Sequence, residues 1–491
     1  MNGHGQSDRF VVPANPPNKA AAAEAGEERK RTTGNTDSET RSGRRAGEKE
    51  ESVSSDLDRV RQVAAKDKDA RFTALLHHVS VPRLMMAFED LNPRAAPGVD
   101  GVTWQEYERD LVANLRDLHG RVQSGRYRAS PSRRVYIPKA DGRQRPLAIA
   151  SLEDKIVQRA VTGVLNAVYE ADFLGFSYGF RPGRSPHDAL DALTAGIYRK
   201  KVSWVLDADI RDFFGSLDRE WLMKFLRHRI ADERILRLIS KWLAAGVIED
   251  GQLSETEHGT PQGASISPLL ANVYLHYVLD LWTKWWRKQH ARGDVIIVRF
   301  ADDFVAGFQY QDDAEKFWAD LRERFAKFSL ELHPDKTRLI EFGRYAVPRR
   351  KARGPGKPET FSFLGFTHIC AVTGGRFWVR RVTDGKRLRA KLKQVKTEIM
   401  RRRHLPVPGQ GRWLASVVTG HQNYYAVHGN YEAVSFFRYE VTRHWHRALK
   451  RRSQKNRLPW DRMNRLAKRW LPRTRITHPY PEQRFAASHP W

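Results

Sequence analysis

The stretch VIIVRFADDFVAGF, residues 295–308, decides the fold of this 491-residue chain. Two apolar runs flank Asp302 and Asp303, and this pattern predicts two β-strands joined by a tight turn. Neighbouring side chains of a regular strand point to opposite faces, but a tight turn relaxes that alternation. Both carboxylates are therefore expected to reach the same region at one end of a hairpin. The alternative is an ordinary surface turn, since Asp favours turns through its local hydrogen bonds.

A second acidic strand is predicted in SWVLDADIRDFF, residues 203–214. Its apolar and β-branched content favours a strand, and the period of two places Asp207 and Asp209 on the same face. Carboxylates that meet at strand ends suit Mg²⁺, which prefers oxygen ligands and substrate phosphates. Two such ions about 3.5–4 Å apart can activate an attacking hydroxyl and stabilise a leaving oxygen. Periodicity alone leaves open whether Asp207 or Asp209 binds the metal.

The charge of the chain indicates a nucleic-acid partner. The sequence holds 86 Lys and Arg against 57 Asp and Glu, which gives a formal net charge of +29. Such a surplus repels itself, and an acidic partner offsets it. Nucleic acids gain affinity from each phosphate that Lys or Arg neutralises, because condensed counterions are released. An anionic membrane surface is the other option, but no apolar run approaches the ~18 residues that a spanning helix needs.

Cysteine usage and the N-terminal sequence bear on the compartment. Cys370 is the only cysteine, so a disulfide within the chain and a multi-cysteine zinc site are both excluded. The first residues, MNGHGQSDRF, lack the apolar core of a secretory signal. The protein is expected to be intracellular, in a bacterial-type cytoplasm.

The chain is predicted to have three parts. Residues 1–56 combine few large apolar residues with Ala, Gly, Ser, Thr and mixed charge, which predicts a disordered tail. Residues 57–372 mix strand and helix patterns and predict an α+β domain. Residues 373–491 are very basic and are predicted to be helical throughout. Within the second part, helices are predicted at 71–91, 103–118, 153–170, 219–247, 269–286 and 312–328, and further strands at 133–151 and 361–369.

Eight motifs in a fixed order resemble those of group II intron reverse transcriptases. They are RVYIPKADGRQRPLAI, DKIVQRA, YGFRPGRSPHDAL, WVLDADIRDFFGSLD, HGTPQGASISPLLANVYLH, RFADDF, LELHPDKT and FLGFTH. Each motif is weak by itself, whereas the ordered set is specific. The resemblance implies an α+β right-hand polymerase fold, with fingers and palm built on an antiparallel sheet, followed by an all-α basic thumb/maturase domain.

The resemblance selects the catalytic carboxylates. It matches Asp209, Asp302 and Asp303 to the family's catalytic triad, which binds two Mg²⁺ ions, and it leaves Asp207 with a structural role. Phe300 stands where the family commonly has Tyr. The aromatic ring is kept and the hydroxyl is lost, which affects how the primer end is held rather than metal binding.

The resemblance also implies which residues bind the incoming deoxynucleotide. Phe214 matches the bulky residue under the sugar, where a ring leaves no room for a 2′-hydroxyl, although a plain core aromatic is the alternative. Lys139 and Arg145 match residues that hold the triphosphate, and a point charge and a forked donor both suit phosphate oxygens. Gln262 matches a residue that packs on the nucleotide, and Lys336 matches a lysine near the triphosphate.

The C-terminal part interleaves aromatic and basic residues. Such a surface combines phosphate neutralisation with stacking on unpaired bases. At least half of these aromatic residues are expected to belong to the core of the helical bundle instead. They are Tyr424, Tyr425, Trp445, Trp460 and Trp470. The resemblance implies that this domain grips the intron RNA and the primer–template duplex. The cations predicted to bind RNA are Arg443, Arg447, Lys450, Arg451 and Arg452.

The predicted function is that of an RNA-directed DNA polymerase encoded by a group II intron. It would copy the intron RNA into DNA during retrohoming and assist its splicing as a maturase. The expected partners are intron RNA, a primer–template RNA/DNA duplex, target DNA and dNTPs, without a membrane. The alternatives are a splicing maturase with little polymerase activity and a reverse transcriptase of another class, such as a retron or defence enzyme. The endonuclease module of some relatives is expected to be absent.

Overall fold

The fold is taken from a computed structural model of the whole chain. The residues that it describes are 56–138, 144–249, 252–254, 263–354, 356–453 and 457–488. The disordered tail predicted for residues 1–56 lies outside this part of the chain except for its last residue.

The strands of the described residues form three sheets. In chain order they are β1 Ser132–Pro138, β2 Gln144–Ile149, β3 Trp204–Asp209, β4 Val247–Glu249, β5 Gln252–Ser254, β6 Val295–Phe300, β7 Asp303–Phe308, β8 Arg338–Glu341, β9 Phe361–Phe363, β10 Phe366–Thr373 and β11 Arg376–Thr383. One sheet has the order β2-β1-β4-β5, in which only the β1–β4 pair is parallel, and another has the order β11-β10-β9.

The third sheet, here called the central sheet, has the order β6-β7-β3-β8, and all of its pairs are antiparallel. Strands β6 and β7 form the hairpin that the first sequence stretch predicts. Strand β3 pairs with β7 in a register that places Asp209 directly opposite Asp303. Antiparallel partners lie about 4.5–5.5 Å apart between Cα atoms, so one end of the central sheet collects both acidic stretches.

Helices pack around these sheets. Those of the described residues are α1 Asp58–Lys66, α2 Val81–Glu89, α3 Trp104–Glu108, α4 Leu111–Gln123, α5 Leu152–Tyr169, α6 Pro186–Arg199, α7 Phe213–Ser216, α8 Arg219–Arg229, α9 Glu233–Ala244, α10 Ser267–Leu275, α11 Leu281–Gln289, α12 Gln311–Ala326, α13 Ala346–Arg353, α14 Gly385–Arg401, α15 Val407–Tyr425, α16 Tyr431–Lys450, α17 Trp460–Trp470 and α18 Pro481–Ser488. A 3₁₀ turn spans Leu76–His78, and a π-helical segment, His276–Asp280, joins α10 to α11. The mixture of helices and antiparallel sheets confirms the α+β prediction.

Local sequence signals inside the motifs begin the helices that flank the central sheet. Ser185 and Asp188 form a capping box at the start of α6, in which each side chain accepts from the other's backbone N–H. Pro186 occupies the first turn, where its missing N–H costs nothing. Asp218 begins α8 by accepting from the N–H of Trp221. Helices α6 and α12 then pack against strands of the central sheet.

The C-terminal helices have a hydrophobic core of their own. It includes Val395 and Ile399 of α14, Leu414 of α15, Trp445 of α16 and Met463 of α17, all buried. This confirms the prediction of a helical C-terminal part from residue 385 onwards. The prediction is wrong for residues 376–383, which form β11. Their side chains alternate between buried and more exposed positions, which is the period of a strand and not of a helix.

Other differences have local causes. The strand predicted at 203–214 ends at Asp209, because Asp212 takes a left-handed conformation (φ 39°) and leads into α7. The helix predicted at 219–247 is two helices, since Asp232 caps the start of α9. The helix predicted at 71–91 begins only at Val81. The strand predicted at 361–369 is two strands, which turn at Gly365 (φ 82°).

Within the described residues, none of the helices combines the length and the hydropathy that crossing a bilayer requires.

Candidate active site

The turn between β6 and β7 carries the two adjacent aspartates. Phe300 pairs with Asp303, so Ala301 and Asp302 form a two-residue loop. Ala301 has a φ of 57°, a left-handed conformation that glycine usually occupies in such turns and that costs other residues roughly 1–2 kcal/mol. A Cβ atom added to Gly179 would collide with the backbone of Ala301. The turn is therefore strained and closely packed from one side.

A buried arginine beneath the turn holds its backbone. Arg299 is fully buried and donates to both carboxylate oxygens of Asp280, at 2.8 and 2.6 Å. The same guanidinium donates to the carbonyl of Ala301 and to the side-chain oxygen of Asn272, both at 3.0 Å. Asn272 in turn donates to the carbonyl of Gly179 at 2.7 Å. This network joins the turn at Ala301 and Asp302, here called the catalytic turn after its predicted role, to Gly179 and to the helical residues Asn272 and Asp280.

The sequence reasoning missed these positioning residues. Each of them is a polar residue within a run of apolar ones: Arg299 in VIIVRF, Asn272 in LLANVY and Asp280 in YVLDLW. Such residues are almost never fully buried unless they are paired. A polar residue within an apolar run therefore indicates a buried, paired side chain, but the sequence does not say which of these residues pair with one another. Asp280 ends the π-helical segment, and segments of this kind occur frequently at functional sites.

The carboxylates of the central sheet repel one another. Burial and the neighbouring carboxylates of Asp207, Asp302 and Asp209 raise the pKa of Asp303 well above its ordinary value. Burial raises the pKa of Asp207 to about 6, although Arg338, 3.4 Å away, opposes the change. The sheet end is thus an anionic cluster of four carboxylates. Asp207 faces a cation of its own, as its predicted structural role requires.

Lys336 is brought to the same cluster. Its ammonium forms an ion pair with the Asp209 carboxylate. The backbone supports this approach, because the N–H of His333 donates to the carbonyl of Asp209 at 2.8 Å. Among the described residues, no three acidic, histidine or cysteine side chains are already gathered closely enough to hold a metal ion. The Lys336 ammonium thus offsets the charge of Asp209.

Two adjacent phenylalanines follow strand β3. Phe213 is buried in the largest core at 2% exposure, whereas Phe214 is only partly buried against that core. Their ring centroids are 5.4 Å apart in an edge-to-face arrangement. The core position is therefore filled by Phe213. The Phe214 ring remains partly exposed, and its role as the sugar-contacting residue stays a prediction.

The aromatic ring of Phe300 lies at the edge of the cluster. Its centroid is 6.2 Å from that of Phe180, an exposed residue with a φ of 58°. The two rings form a small apolar surface next to Asp302 and Asp303. The replacement of the family's tyrosine by phenylalanine thus leaves a surface that has ring contacts but lacks the hydroxyl.

The remaining nucleotide-binding predictions fall largely outside the described residues. Lys139 and Gln262 lie there, as does the side chain of Arg145, whose backbone belongs to β2. Gly263 is described, and a Cβ atom at this position would lie 2.7 Å from the carbonyl oxygen of Ala148. The backbone at Gly263 therefore packs closely against β2, and the nucleotide-binding roles of Lys139, Arg145 and Gln262 stay predictions.

The cations predicted to bind RNA differ in their surroundings. Arg447, Lys450 and Arg451 are exposed at the end of α16. Arg443 forms an ion pair with the glutamate three residues earlier on the helix. Arg452 donates to two backbone carbonyls in the connection between α14 and α15. The first three are the most accessible to a phosphate, whereas Arg452 also holds the domain together.

Most of the aromatic residues that the sequence singled out in the C-terminal part are structural. Trp445 is fully buried in the core of the C-terminal helices, and Trp470 packs against that core. Tyr424 and Tyr425 pack against the core that includes β9, β10 and β11. Trp460 remains 44% exposed. Of these five residues, only Trp445 and Trp470 lie in or against the core of the C-terminal helices, which is fewer than the half expected there.

Comparison with known proteins identifies the family. A family model described as reverse transcriptase (RNA-dependent DNA polymerase) matches residues 137–368, which include the carboxylate cluster. The chain is 36% identical to protein YkfC of Escherichia coli K12, in a match that covers 49% of this chain and 72% of that protein. It is 32% identical to the group II intron-encoded protein LtrA of Lactococcus lactis, with 48% of this chain and 40% of LtrA covered. A shorter match, 28% identical, covers 18% of this chain and 12% of nuclear intron maturase 1 of Arabidopsis thaliana. The chain therefore belongs to the reverse transcriptase family, with intron-encoded proteins and intron maturases among its relatives.

Proposed function

We propose that the protein is an Mg²⁺-dependent RNA-directed DNA polymerase encoded by a group II intron, and that it also assists splicing of that intron. The observation that supports this best is the register of β3 and β7, which sets Asp209 opposite Asp303 beside the Asp302 turn. The central sheet would serve as the palm of a right-hand polymerase. The helices from α14 onwards would serve as its thumb and maturase domain.

The donor set of the cluster fits magnesium. Asp209, Asp302 and Asp303 supply only oxygen ligands. The raised pKa of Asp303 reflects burial and, after it, repulsion by the neighbouring carboxylates, which a divalent cation would relieve. Two bound Mg²⁺ ions would activate the primer 3′-hydroxyl and stabilise the leaving pyrophosphate. Lys336 would leave Asp209 when metal and nucleotide enter, and its ammonium would then be free to contact the triphosphate.

The surrounding residues would orient the two substrates. Phe214 would exclude a 2′-hydroxyl from the incoming nucleotide, and Lys139, Arg145 and Gln262 would hold its triphosphate and base. The apolar surface at Phe300 would support the primer end. Arg299 would keep the turn in place without touching either substrate.

RNA binding follows from the charge of the chain and from its relatives. The net charge of +29 suits a polyanionic partner. LtrA is named as a group II intron-encoded protein, and another relative is named as an intron maturase. The match spans less than half of LtrA. We therefore propose the intron RNA, the primer–template duplex, target DNA and dNTPs as partners.

Primer extension on an RNA template with dNTPs and Mg²⁺ tests the polymerase assignment. Asp302→Ala should abolish synthesis, because it removes a metal ligand. The matched control is Asp312→Ala, which removes an exposed aspartate that pairs with Arg292 on the surface. Full synthesis by Asp302→Ala, or equal losses in both variants, would contradict the assignment.

Splicing of the cognate intron separates the second role from the first. Asp303→Ala should stop DNA synthesis and leave protein-assisted splicing intact, since splicing depends on RNA binding and not on the carboxylates. A wild-type protein that supports splicing without any DNA synthesis would instead establish a maturase with an idle polymerase site.

A further inference from the structure

A cleft between α16 and α17 lies outside the candidate active site and beyond the residues that the family model matches. Its volume is about 750 Å³, within the ~300–1,000 Å³ that is usual for ligand sites. One face of α16 forms the first wall, with Tyr431 and Tyr439. Trp460 and Lys468 of α17 form the second, and the segment after α17 closes one end with Arg473.

Three large aromatic side chains line this cleft and remain open to solvent. Tyr431 is 53% exposed, Tyr439 55% and Trp460 44%. Rings this exposed contribute little to the core of the domain. Two of them have contacts along the helices. The Trp460 ring lies 4.3 Å from that of the buried His446, and the Arg443 guanidinium lies 5.8 Å from the Tyr439 ring. They form a surface on which a planar group can stack.

The charge in the cleft is positive and is not neutralised locally. Arg438, Lys468 and Arg473 line it, and no carboxylate is among its lining residues. Arg438 is part of the wall, because it donates to the backbone carbonyl of Pro472 at 2.8 Å. Neither Lys468 nor Arg473 forms an ion pair with any residue that the structure describes. Two cations are thus left for an anionic ligand beside the aromatic surface.

We propose that this cleft binds a single unpaired nucleotide of an RNA. The base would stack on Tyr439 and Trp460, and the adjoining phosphates would contact Lys468 and Arg473. Proteins recognise unpaired RNA bases by aromatic stacking combined with phosphate contacts, whereas the bases of a duplex are already stacked and out of reach. This inference rests on the RNA binding proposed above and locates one point of contact within it.

A fluorescent base measures the stacking directly. The probe is a nine-nucleotide single-stranded RNA with 2-aminopurine at its centre, whose fluorescence is quenched when the base stacks, and the full-length protein is titrated into it. Stacking on one aromatic ring is worth enough that Tyr439→Ala should weaken binding roughly 5- to 150-fold. Trp460→Phe, which keeps a ring, should bind within a few-fold of wild type. The matched control is Phe436→Ala, on the same helix and 49% exposed but outside the cleft, and it should bind as wild type does.

Salt dependence tests the phosphate contacts. Each phosphate contact to a single strand contributes about 0.7 to the slope of log affinity against log salt concentration. Lys468→Gln should lower the magnitude of that slope by about this amount. Lys393→Gln, an exposed lysine on α14, should leave it unchanged. Circular dichroism and thermal unfolding of each variant verify that the fold is kept.

The outcomes separate this inference from the proposed function. Wild-type binding and quenching that Tyr439→Ala and Lys468→Gln leave unchanged would overturn the cleft site, while RNA binding itself would stand. A Tyr439→Ala variant that weakens binding of a duplex of the same sequence as much as it weakens binding of the single strand would also overturn it, because the proposal requires an unpaired base. A wild-type protein that binds no RNA would overturn both.

Discussion

Asp280 neutralises an arginine that is buried under the catalytic turn, and its loss is expected to cost much of the stability of the fold. The Arg299 and Asp280 side chains are both 0% exposed, and their closest atoms are 2.6 Å apart. Removal of one partner from such a pair leaves an uncompensated buried charge, which costs about 3–5 kcal/mol. A domain is stable by only about 5–15 kcal/mol in total. Asp280→Ala should therefore lower the free energy of unfolding by about 3–5 kcal/mol, a large share of the total.

The double variant Arg299→Met/Asp280→Leu separates folding from positioning. With both charges removed, an apolar core of similar volume is often as stable as the ion pair or more so. The double variant should therefore be more stable than Asp280→Ala, although two buried acceptors lose the donor that Arg299 supplied. Its polymerase rate should nevertheless fall about 100-fold, because a displacement near 1 Å at a reacting group has that effect. The carbonyl of Ala301 and the side chain of Asn272 would both have lost the donor that holds them.

Urea unfolding and single-nucleotide incorporation measure the two effects on the same preparations. The matched control is the ion pair of Arg381 and Asp191, at 2.6 Å with both side chains 2% exposed, which joins β11 to α6. Asp191→Ala should lower stability without a specific loss of rate in the folded fraction. A double variant at Arg299 and Asp280 with wild-type kcat would refute the positioning role. Wild-type stability of Asp280→Ala would refute the energetic reasoning.

Three further predictions address acid stability, sugar selection and the lysine at the metal site. Burial lowers the pKa of His368 to about 3, so the unfolded chain binds a proton that the folded chain does not. The free energy of unfolding should then fall as pH falls below about 6.5, by up to ~1.4 kcal/mol per pH unit. Urea unfolding between pH 5 and 7 should show that His368→Phe makes the free energy of unfolding depend less steeply on pH. Phe214→Ala should lower the ratio of kcat/KM for dNTP over rNTP at least about tenfold, whereas Phe213→Ala should instead destabilise the core by about 3–5 kcal/mol. Lys336→Met should tighten Mg²⁺ binding in calorimetric titrations, because the lysine competes for Asp209, and should raise the KM for dNTP; weaker Mg²⁺ binding would argue against that competition.

The hairpin and its partner strand were predictable because their signals are local. Two apolar runs around a turn-forming pair predict β6 and β7, and alternating apolar residues predict β3. The register that sets Asp209 against Asp303 is a contact between residues far apart in sequence. Composition and periodicity left Asp207 and Asp209 equivalent, and the family resemblance was needed to choose between them.

Tertiary contacts explain what the sequence did not predict. Strand β11 is very basic, yet β10 supplies a hydrogen-bonding partner along its whole length, and such pairing overrides weak local preferences. The side-chain partners of Arg299, Asn272 and Asp280, lie in α10 and in the π-helical segment. The sequence of β6 alone therefore could not identify them. The cleft between α16 and α17 combines side chains from two helices and a connecting segment. None of its residues predicts a binding site by its type or position in the sequence. The site is visible only where the fold brings these residues together.

The site holds like charges together, and the fold must oppose their repulsion. The raised pKa of Asp303 shows that burial and the neighbouring carboxylates disfavour its ionised form, and the left-handed Ala301 adds strain at the same turn. Two cations offset these costs in different ways: Arg299 is fixed beneath the turn, and Lys336 pairs with Asp209 from the accessible side. A ligand that binds only the folded state stabilises it in proportion to the logarithm of its concentration. Magnesium should therefore raise the stability of the wild-type protein. On this proposal Arg299 would support the same turn with or without the ion, whereas Lys336 would give up its place on Asp209 when the ion binds.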